Sequence, residues 1–316
     1  MGIIQGCNLC KTPKEVGEIS TNGLKDNIKA KELFESKVKN KKDIKIINNN
    51  DISKVISSMN ANANNIELPQ EILLTKPERG FRTELIKFNN DDTYQGYFND
   101  KNQKDGFGIY VKKNGFIYKG LWKEDKIGEY GVFISPEGDY YKGNLVNGEA
   151  NGEGELMVNN KIKYVGNFSK NLPNQKGTLY NFVDNSIYEG DIVDGKKEGQ
   201  GILKFNDGTV YEGSFVNDKY EGFGKLLFKN GCKYEGNFSD NMMNGKGKYI
   251  YTDGKEYNGD FQMGFKHGFG RLSWNDNKYF EGYWINNKQH GEGTFYIDGK
   301  TLKGIFRYGK MIMKID

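Results

Sequence analysis

Tyr188-Glu189-Gly190-Asp191-Ile192, running on to Gly199-Gln200-Gly201, is followed 23 residues later by Tyr211-Glu212-Gly213-Ser214-Phe215 and Gly222-Phe223-Gly224. A fixed period of this length is the mark of a repeat architecture, and much of the chain carries it. Leading aromatics followed two residues on by Gly recur at Tyr94, Tyr118, Tyr141, Tyr164, Tyr188, Tyr211, Tyr234, Tyr257 and Phe280, in steps of 24, 23, 23, 24, 23, 23, 23 and 23. A worn copy, Leu302 with Gly304, follows after 22. Two residues past each first Gly stands a large apolar side chain: Phe98, Trp122, Leu145, Phe168, Ile192, Phe215, Phe238, Phe261, Trp284 and Phe306. A second Gly-x-Gly closes most units, while one keeps Gly128 and Gly131 and another only Gly177.

The physics of the unit is that of a strand pair. Aromatic, Gly and aromatic at i, i+2 and i+4 share one face of a strand. The glycine between two rings leaves room for a ring of the neighbouring strand. Asp207-Gly208, Asp253-Gly254 and Asp298-Gly299 are tight-turn dipeptides, expected to take positive φ at both central residues. One such hairpin cannot bury its own rings, so successive units must stack. The expected fold is all-β, an elongated single-sheet solenoid of antiparallel hairpins over residues 81–316. Phe306, Arg307, Tyr308 and Lys310 at one end, and a polar strand from Arg82 to Phe88 at the other, are expected to cap it.

Tyr188-Glu189-Gly190 through Gly201, and Tyr211-Glu212-Gly213 through Gly224, resemble the MORN repeat, Tyr-Glu-Gly-x-Trp/Phe followed by a turn and Gly-x-Gly. The resemblance covers roughly residues 83–310 in about ten copies. It implies a twisted antiparallel sheet with an aromatic-lined groove, which makes Tyr94, Phe98, Tyr118, Trp122, Tyr141, Tyr164, Phe168, Tyr188, Tyr211, Phe215, Tyr234, Phe238, Tyr257, Phe261, Phe280 and Trp284 the candidate binding residues. It also implies protein scaffolding at cortical membranes, basal bodies and ciliary structures, dimerisation through the last repeats, and a structural role for His267 and His290. Exposed terminal edges give a homodimer its physical route.

Ahead of the array the composition changes. Residues 1–80 hold a single aromatic, Phe34. The chain opens Met1-Gly2-Ile3-Ile4-Gln5-Gly6-Cys7-Asn8-Leu9-Cys10-Lys11, a myristoylation-like signal at Gly2 with Cys7 and Cys10 placed for palmitate, although position six is Gly6 rather than Ser or Thr. A single myristoyl chain binds membranes with only about 10⁴ M⁻¹, so a second acyl chain is what makes attachment durable. Residues 1–14 are therefore read as an acylated anchor at the cytoplasmic side of a plasma membrane, cell cortex or ciliary region. Residues 15–80 are read as a polar linker, mostly disordered or short-helical: Ala30, Leu33, Phe34 and Val38 form one stripe, and Asp51 caps a second with Ile52, Val55, Ile56 and Met59.

Other function classes are argued against. With 46 basic and 42 acidic residues the charge is nearly balanced, without the basic face of a nucleic-acid protein. No run of 18 apolar residues suggests a membrane-spanning helix. Three cysteines make no disulfide framework and favour a reducing compartment. The Gly-x-Gly pairs lack the Gly-Lys-Ser/Thr of a phosphate loop, and the array leaves no room before Asp316 for a catalytic domain; neither an enzyme nor a cofactor or metal is expected. Lys119, Lys142, Lys196, Lys197, Lys225, Lys246 and Lys266 offer an alternative in which the repeats bind anionic phospholipids, phosphoinositides among them.

Overall fold

The structure, a computed structural model, describes residues 45–46 and 66–315. Gly2, Cys7, Cys10 and the stripes expected within residues 30–38 and 51–59 lie outside the described residues. Among the described residues, one helical turn, Gln70–Leu73, precedes a series of strands. Two compact units are formed, one from the described residues up to 183 with 192–195, the other from residues 184–191 and 196–315.

In the first unit, eight strands run antiparallel in sequence order from Thr93–Asn99 to Leu172–Asn181. In the second, the ladder runs from Lys196–Lys204 to Lys310–Ile315. The register puts glycine opposite glycine across every described strand pair of the array up to Gly304: Gly213 faces Gly224, Gly224 faces Gly236, Gly236 faces Gly247, and so on along the row. Within each described hairpin before the last, three residues then bulge against one. Glu221, Gly222 and Phe223 oppose Ser214, and Gly222 takes φ 69°. In the worn fourth copy the bulge survives without its glycine, since Gln175 adopts φ 64° at the same place.

The turns divide into two kinds, and the expectation for the Asp-Gly pairs needs correction. At Asp207-Gly208 and Asp253-Gly254 only the glycine has positive φ, with Gly208 and Gly254 N–H donating to Phe205 and Tyr251 carbonyls at 3.1 Å. These are type I turns closed by a left-handed glycine. Turns with two positive φ values fall instead six and seven residues after the leading aromatic, as at Asn217-Asp218 (48°, 68°), Asp240-Asn241 (52°, 66°) and Asn286-Asn287 (47°, 68°). Asp298-Gly299 also takes this form (48°, 82°).

Those polar turns fasten one hairpin to the preceding one. The Asn241 N–H donates to the Tyr220 carbonyl at 3.1 Å, and the Asn241 Oδ1 accepts the Tyr220 N–H at 2.7 Å. The same clasp joins Asp125 to Lys104, Asn171 to Ala150, Asp218 to Lys197 and Asn287 to Lys266. Where proline stands at the strand position, Pro173, it has no N–H to give. The turn there carries Gly195, which makes only the backbone half of the clasp at 2.9 Å.

Both expected caps differ in detail. The strand anticipated from Arg82 to Phe88 is broken into Gly80–Arg82 and Ile86–Lys87, each paired with Thr93–Asn99. In the gap the Thr83 N–H and Oγ1 both donate to the Gly96 carbonyl, at 2.9 and 3.2 Å. At the other end Phe306 is buried core, while Tyr308-Gly309 make one more tight turn leading into Lys310–Ile315. The boundary expected at residue 80 falls inside a packed segment, because Ile66 and Leu68 lie on a cluster of Ile117, Val132 and Ile134 on the sheet face away from the tyrosine rings. The Thr75 carbonyl accepts the Phe107 N–H at 2.9 Å.

The glycine row tests as a question of space. A Cβ at Gly236 would lie 2.5 Å from the Gly247 Cα and 2.6 Å from the Tyr234 hydroxyl. Gly236→Ala is expected to cost about 1–3 kcal/mol by overpacking. Gly208→Ala, in open space at φ 88°, should cost only the left-handed penalty of about 1–2 kcal/mol. Urea unfolding of both variants checks the ranking.

Candidate binding surface

The sheet has two unlike faces. On one, each leading tyrosine lays its ring over the glycine pair beside it. A Cβ at Gly213 or Gly224 would lie 2.7 or 2.6 Å from the Tyr211 hydroxyl oxygen. The hydroxyl then donates to the carbonyl three residues on, that of the residue facing the bulge: Tyr118 to Leu121 at 2.8 Å, Tyr188 to Asp191 at 2.7 Å, Tyr211 to Ser214 at 2.9 Å, Tyr234 to Asn237 at 2.8 Å. Tyr94, Tyr141, Tyr164 and Tyr257 do the same. The ring at i+4 stands edge-on to its own tyrosine and to that of the preceding unit. Phe238, for example, lies 5.1 Å from Tyr234 at 88° and 5.1 Å from Tyr211 at 90°. Edge-to-face pairs of this geometry add to what area burial alone supplies.

The sixteen side chains expected to line an open groove are those that form this zipper, and all are at most 5% exposed. Their rings are spent on one another, so their first role is cohesion of the array. The sequence could not separate core from groove, since both readings ask for aromatics at the same spacing.

One position on this face varies, the residue paired with the i+4 ring. It is Lys104 opposite Phe98, Ile127 opposite Trp122, Tyr220 opposite Phe215 and Lys266 opposite Phe261. Lys104 is fully buried, with its Nζ 4.9 Å from the Trp122 ring, 5.6 Å from that of Tyr110, and 3.3 Å from Asp125. Burial lowers the pKa of its ammonium, and Asp125 opposes that shift. Lys197 repeats the arrangement with Asp218 at 2.8 Å, and Lys266 sits over Trp284 at 4.8 Å. These boxes were not legible in the sequence, because lysine ordinarily marks a solvated position.

The lysines expected along a single edge are spread over both faces. Lys119, Lys142 and Lys225 share the reverse-face row next to the glycines, whereas Lys197 and Lys266 belong to the ring face. Lys225 pairs with Glu235 at 3.6 Å and Lys246 with Asp260 at 2.7 Å. Burial lowers the pKa of Lys119. Lys196 donates to the Asn217 side chain at 3.3 Å. His267 and His290 take the place that Glu198 and Glu221 fill in earlier units, where the carboxylates accept the N–H groups of Asn217 and Asp240 at 2.9 and 3.0 Å.

The reverse face is where side chains remain accessible. In the second unit its central row alternates in charge, Glu212 facing Lys225, Lys225 facing Glu235, and Glu235 facing Lys248. Beside that row stand the half-exposed rings of Phe223, Phe269 and Tyr283. Among the described residues no cluster of His, Cys, Asp and Glu has the makings of a metal site, and no helix is long and apolar enough to cross a membrane.

The sequence pattern of the MORN repeat matches residues 94–116, 118–140, 141–157, 188–210, 211–233, 234–256, 257–279 and 280–301. The chain belongs to the MORN repeat family. The fourth copy, with Pro173 and Gln175 in place of the usual residues, escapes the pattern, yet it folds as a MORN hairpin of Ile162–Ser169 and Leu172–Asn181. Among curated proteins the chain is similar to alsin of Rattus norvegicus, 31% identical over 92 residues, and to alsin of Homo sapiens, 30% identical over 92 residues. Each match spans 28% of this chain and 6% of alsin. Among solved structures it is similar to the TCP10 domain of Danio rerio CPAP in complex with a peptide of STIL, at 15% identity and TM-score 0.41, covering 67% of this chain and 94% of that one. It is also similar to the SAS-4 TCP domain of Drosophila melanogaster in complex with a proline-rich motif of Ana2, at 16% identity and TM-score 0.30, covering 57% and 86%.

Two measurements test the MORN zipper. Tyr234→Phe removes the donor to the Asn237 carbonyl and should cost about 1 kcal/mol, whereas Phe280→Tyr, which supplies the donor missing from its unit, should add a similar amount in urea unfolding. Burial also raises the tyrosine pKa values, that of Tyr164 from 10.0 to about 12. A raised phenol pKa means the folded state resists ionisation. Its stabilisation is complete below pH 10 and is lost as pH climbs through the folded value. Unfolding midpoints should therefore be flat from pH 7 to 9 and fall steeply between about 10 and 12, in step with phenolate absorbance.

Proposed function

We propose that this chain is a non-enzymatic scaffold, held at the cytoplasmic side of a membrane by acyl chains on Gly2, Cys7 and Cys10, that connects the membrane to cytoskeletal, ciliary or signalling proteins. The observation that carries the scaffold half is the division of labour between the faces. The ring face is consumed in holding the repeats together, and the reverse face of the clasped ladder presents aromatic and charged side chains at regular spacing. An array of that kind offers many side-chain positions to a protein partner without having to reshape itself, which lowers the ordering cost of association. The anchor half rests on the Gly2, Cys7, Cys10 signal and on the energetics of two acyl chains against one.

The phospholipid reading receives less support, since Lys197, Lys225 and Lys246 are engaged by carboxylates and the seven lysines do not share one edge. Fractionation of cells expressing the tagged chain tests the anchor. The parent protein should sediment with membranes and incorporate labelled myristate. Gly2→Ala should shift most of it to the soluble fraction, and Cys7→Ser/Cys10→Ser should leave myristate in place but weaken retention. Full membrane retention of Gly2→Ala would remove the acyl-anchor half and leave protein scaffolding to be judged by pull-down.

A further inference from the structure

The array itself shows what its reverse face can hold. In the second hairpin of the first unit, Ile117 and Ile134 face each other on the reverse side, with Val132 in the adjoining row, and the chain's own Ile66 and Leu68 are packed on them. The covering segment reads Ile66-Glu67-Leu68-Pro69, outside any helix or strand and apolar at alternate positions, and its proline, at φ −55° and ψ 141°, leads into the helical turn Gln70–Leu73. It packs on the sheet face without adding a strand to it. Farther along, Pro77 sits against Gly80 and Gly106.

The corresponding rows in the unit led by Phe280 hold Tyr279 facing Tyr296, stacked at 4.9 Å and 15°. The Arg271 guanidinium lies 3.6 Å from the centre of the Tyr279 ring. Phe269 and Tyr283 are register partners with ring centroids 5.4 Å apart, and they are 46% and 52% exposed. All five belong to the same face, because Phe280, Gly282 and Trp284 point to the other. Large rings and an arginine left this accessible are the residue types that anchor protein interfaces. A segment lying across this patch meets strands whose backbone groups already bond to neighbours on both sides. It must therefore be held by side-chain packing. Proline-containing extended chain suits that task, since it needs no backbone partner and loses little freedom on binding.

We propose that Phe269, Arg271, Tyr279, Tyr283 and Tyr296 form a docking site for an extended, proline-bounded apolar segment of a partner protein, the counterpart in trans of the Ile66–Pro69 segment seated on the first unit. This deepens the scaffold reading and rests on it, but it is independent of the acyl anchor.

The test uses the full chain and a fluorescein-labelled synthetic peptide copying residues 66–79, followed by fluorescence anisotropy. Saturable binding is expected, weakened at least tenfold by Phe269→Ser/Tyr283→Ser. That variant should keep the parent's thermal midpoint because both side chains are half exposed. A scrambled peptide should bind at least tenfold more weakly. Absence of saturable binding up to millimolar peptide would overturn the proposal. So would equal binding by parent and double variant, as would binding lost in Val132→Asp but retained in the double variant, which would place the peptide on the first unit's own seat. These failures leave scaffolding through another surface intact. A pull-down that recovers partners with parent and double variant alike separates that case.

Discussion

Each tyrosine ring of this array occupies the space that a pair of glycines leaves empty, and its hydroxyl answers the carbonyl that faces the bulge. Three features with separate sequence signals are thus parts of one contact. The glycines face each other across strands because a Cβ on either would meet the ring. The bulge beside them bends the strand, and the carbonyl of the residue facing it, Ser214 in one unit, accepts the phenol. The ring at i+4 then closes against two tyrosines, its own and the previous unit's, which makes the contact cooperative between repeats. A single sheet gains a buried core in this way without a second layer of secondary structure to cover it.

That economy has a consequence for function. When one face is filled by its own rings, the accessible side chains lie on the opposite face, whose chemistry differs from unit to unit. The two ends show the range: an apolar cluster covered by Ile66 and Leu68 in the first unit, an alternating charge row flanked by exposed aromatics in the second. The buried lysines show that even the ring face tolerates variation where an aspartate in the clasping turn can follow. Lys104 and Lys197 meet Asp125 and Asp218, whereas Tyr220 and Ala150 meet asparagine. At these four positions the turn side chain accepts the backbone N–H, and at Lys104 and Lys197 it also takes the ammonium.

The clasp also explains why the spacing of the units hardly drifts. Turn residues six and seven positions after the leading aromatic must reach a strand 21 residues earlier, at Lys104, Ala150, Lys197, Tyr220 and Lys266 alike. A residue inserted between the clasped strand position and the glycines would misalign one or the other, whereas the 24-residue step after Tyr94 leaves the glycine row and the clasp of Asp125 to Lys104 intact. In repeat proteins each unit depends on its neighbours, so such an error would propagate to adjacent contacts.

The period, the all-β hairpin architecture and the MORN family were legible in the residues alone, because a ring-Gly-ring pattern repeated every 23 positions admits few other folds. The worn fourth copy was legible too, as Tyr164 and Gly177 keep their places. What the chain does with its rings was not. Spacing says which side chains share a face; only the bulge, the twist and the register decide whether that face stays open or closes on itself, and here it closed. The turn types were likewise hidden, since Asp-Gly supports either of two geometries and the loop length, five residues around Asp207-Gly208 against two at Asp298-Gly299, chooses between them. The docking patch and the seat of Ile66 and Leu68 lie on a face that sequence periodicity leaves unmarked. Their residues come together only through cross-strand register, a property of the folded sheet rather than of any one stretch of chain.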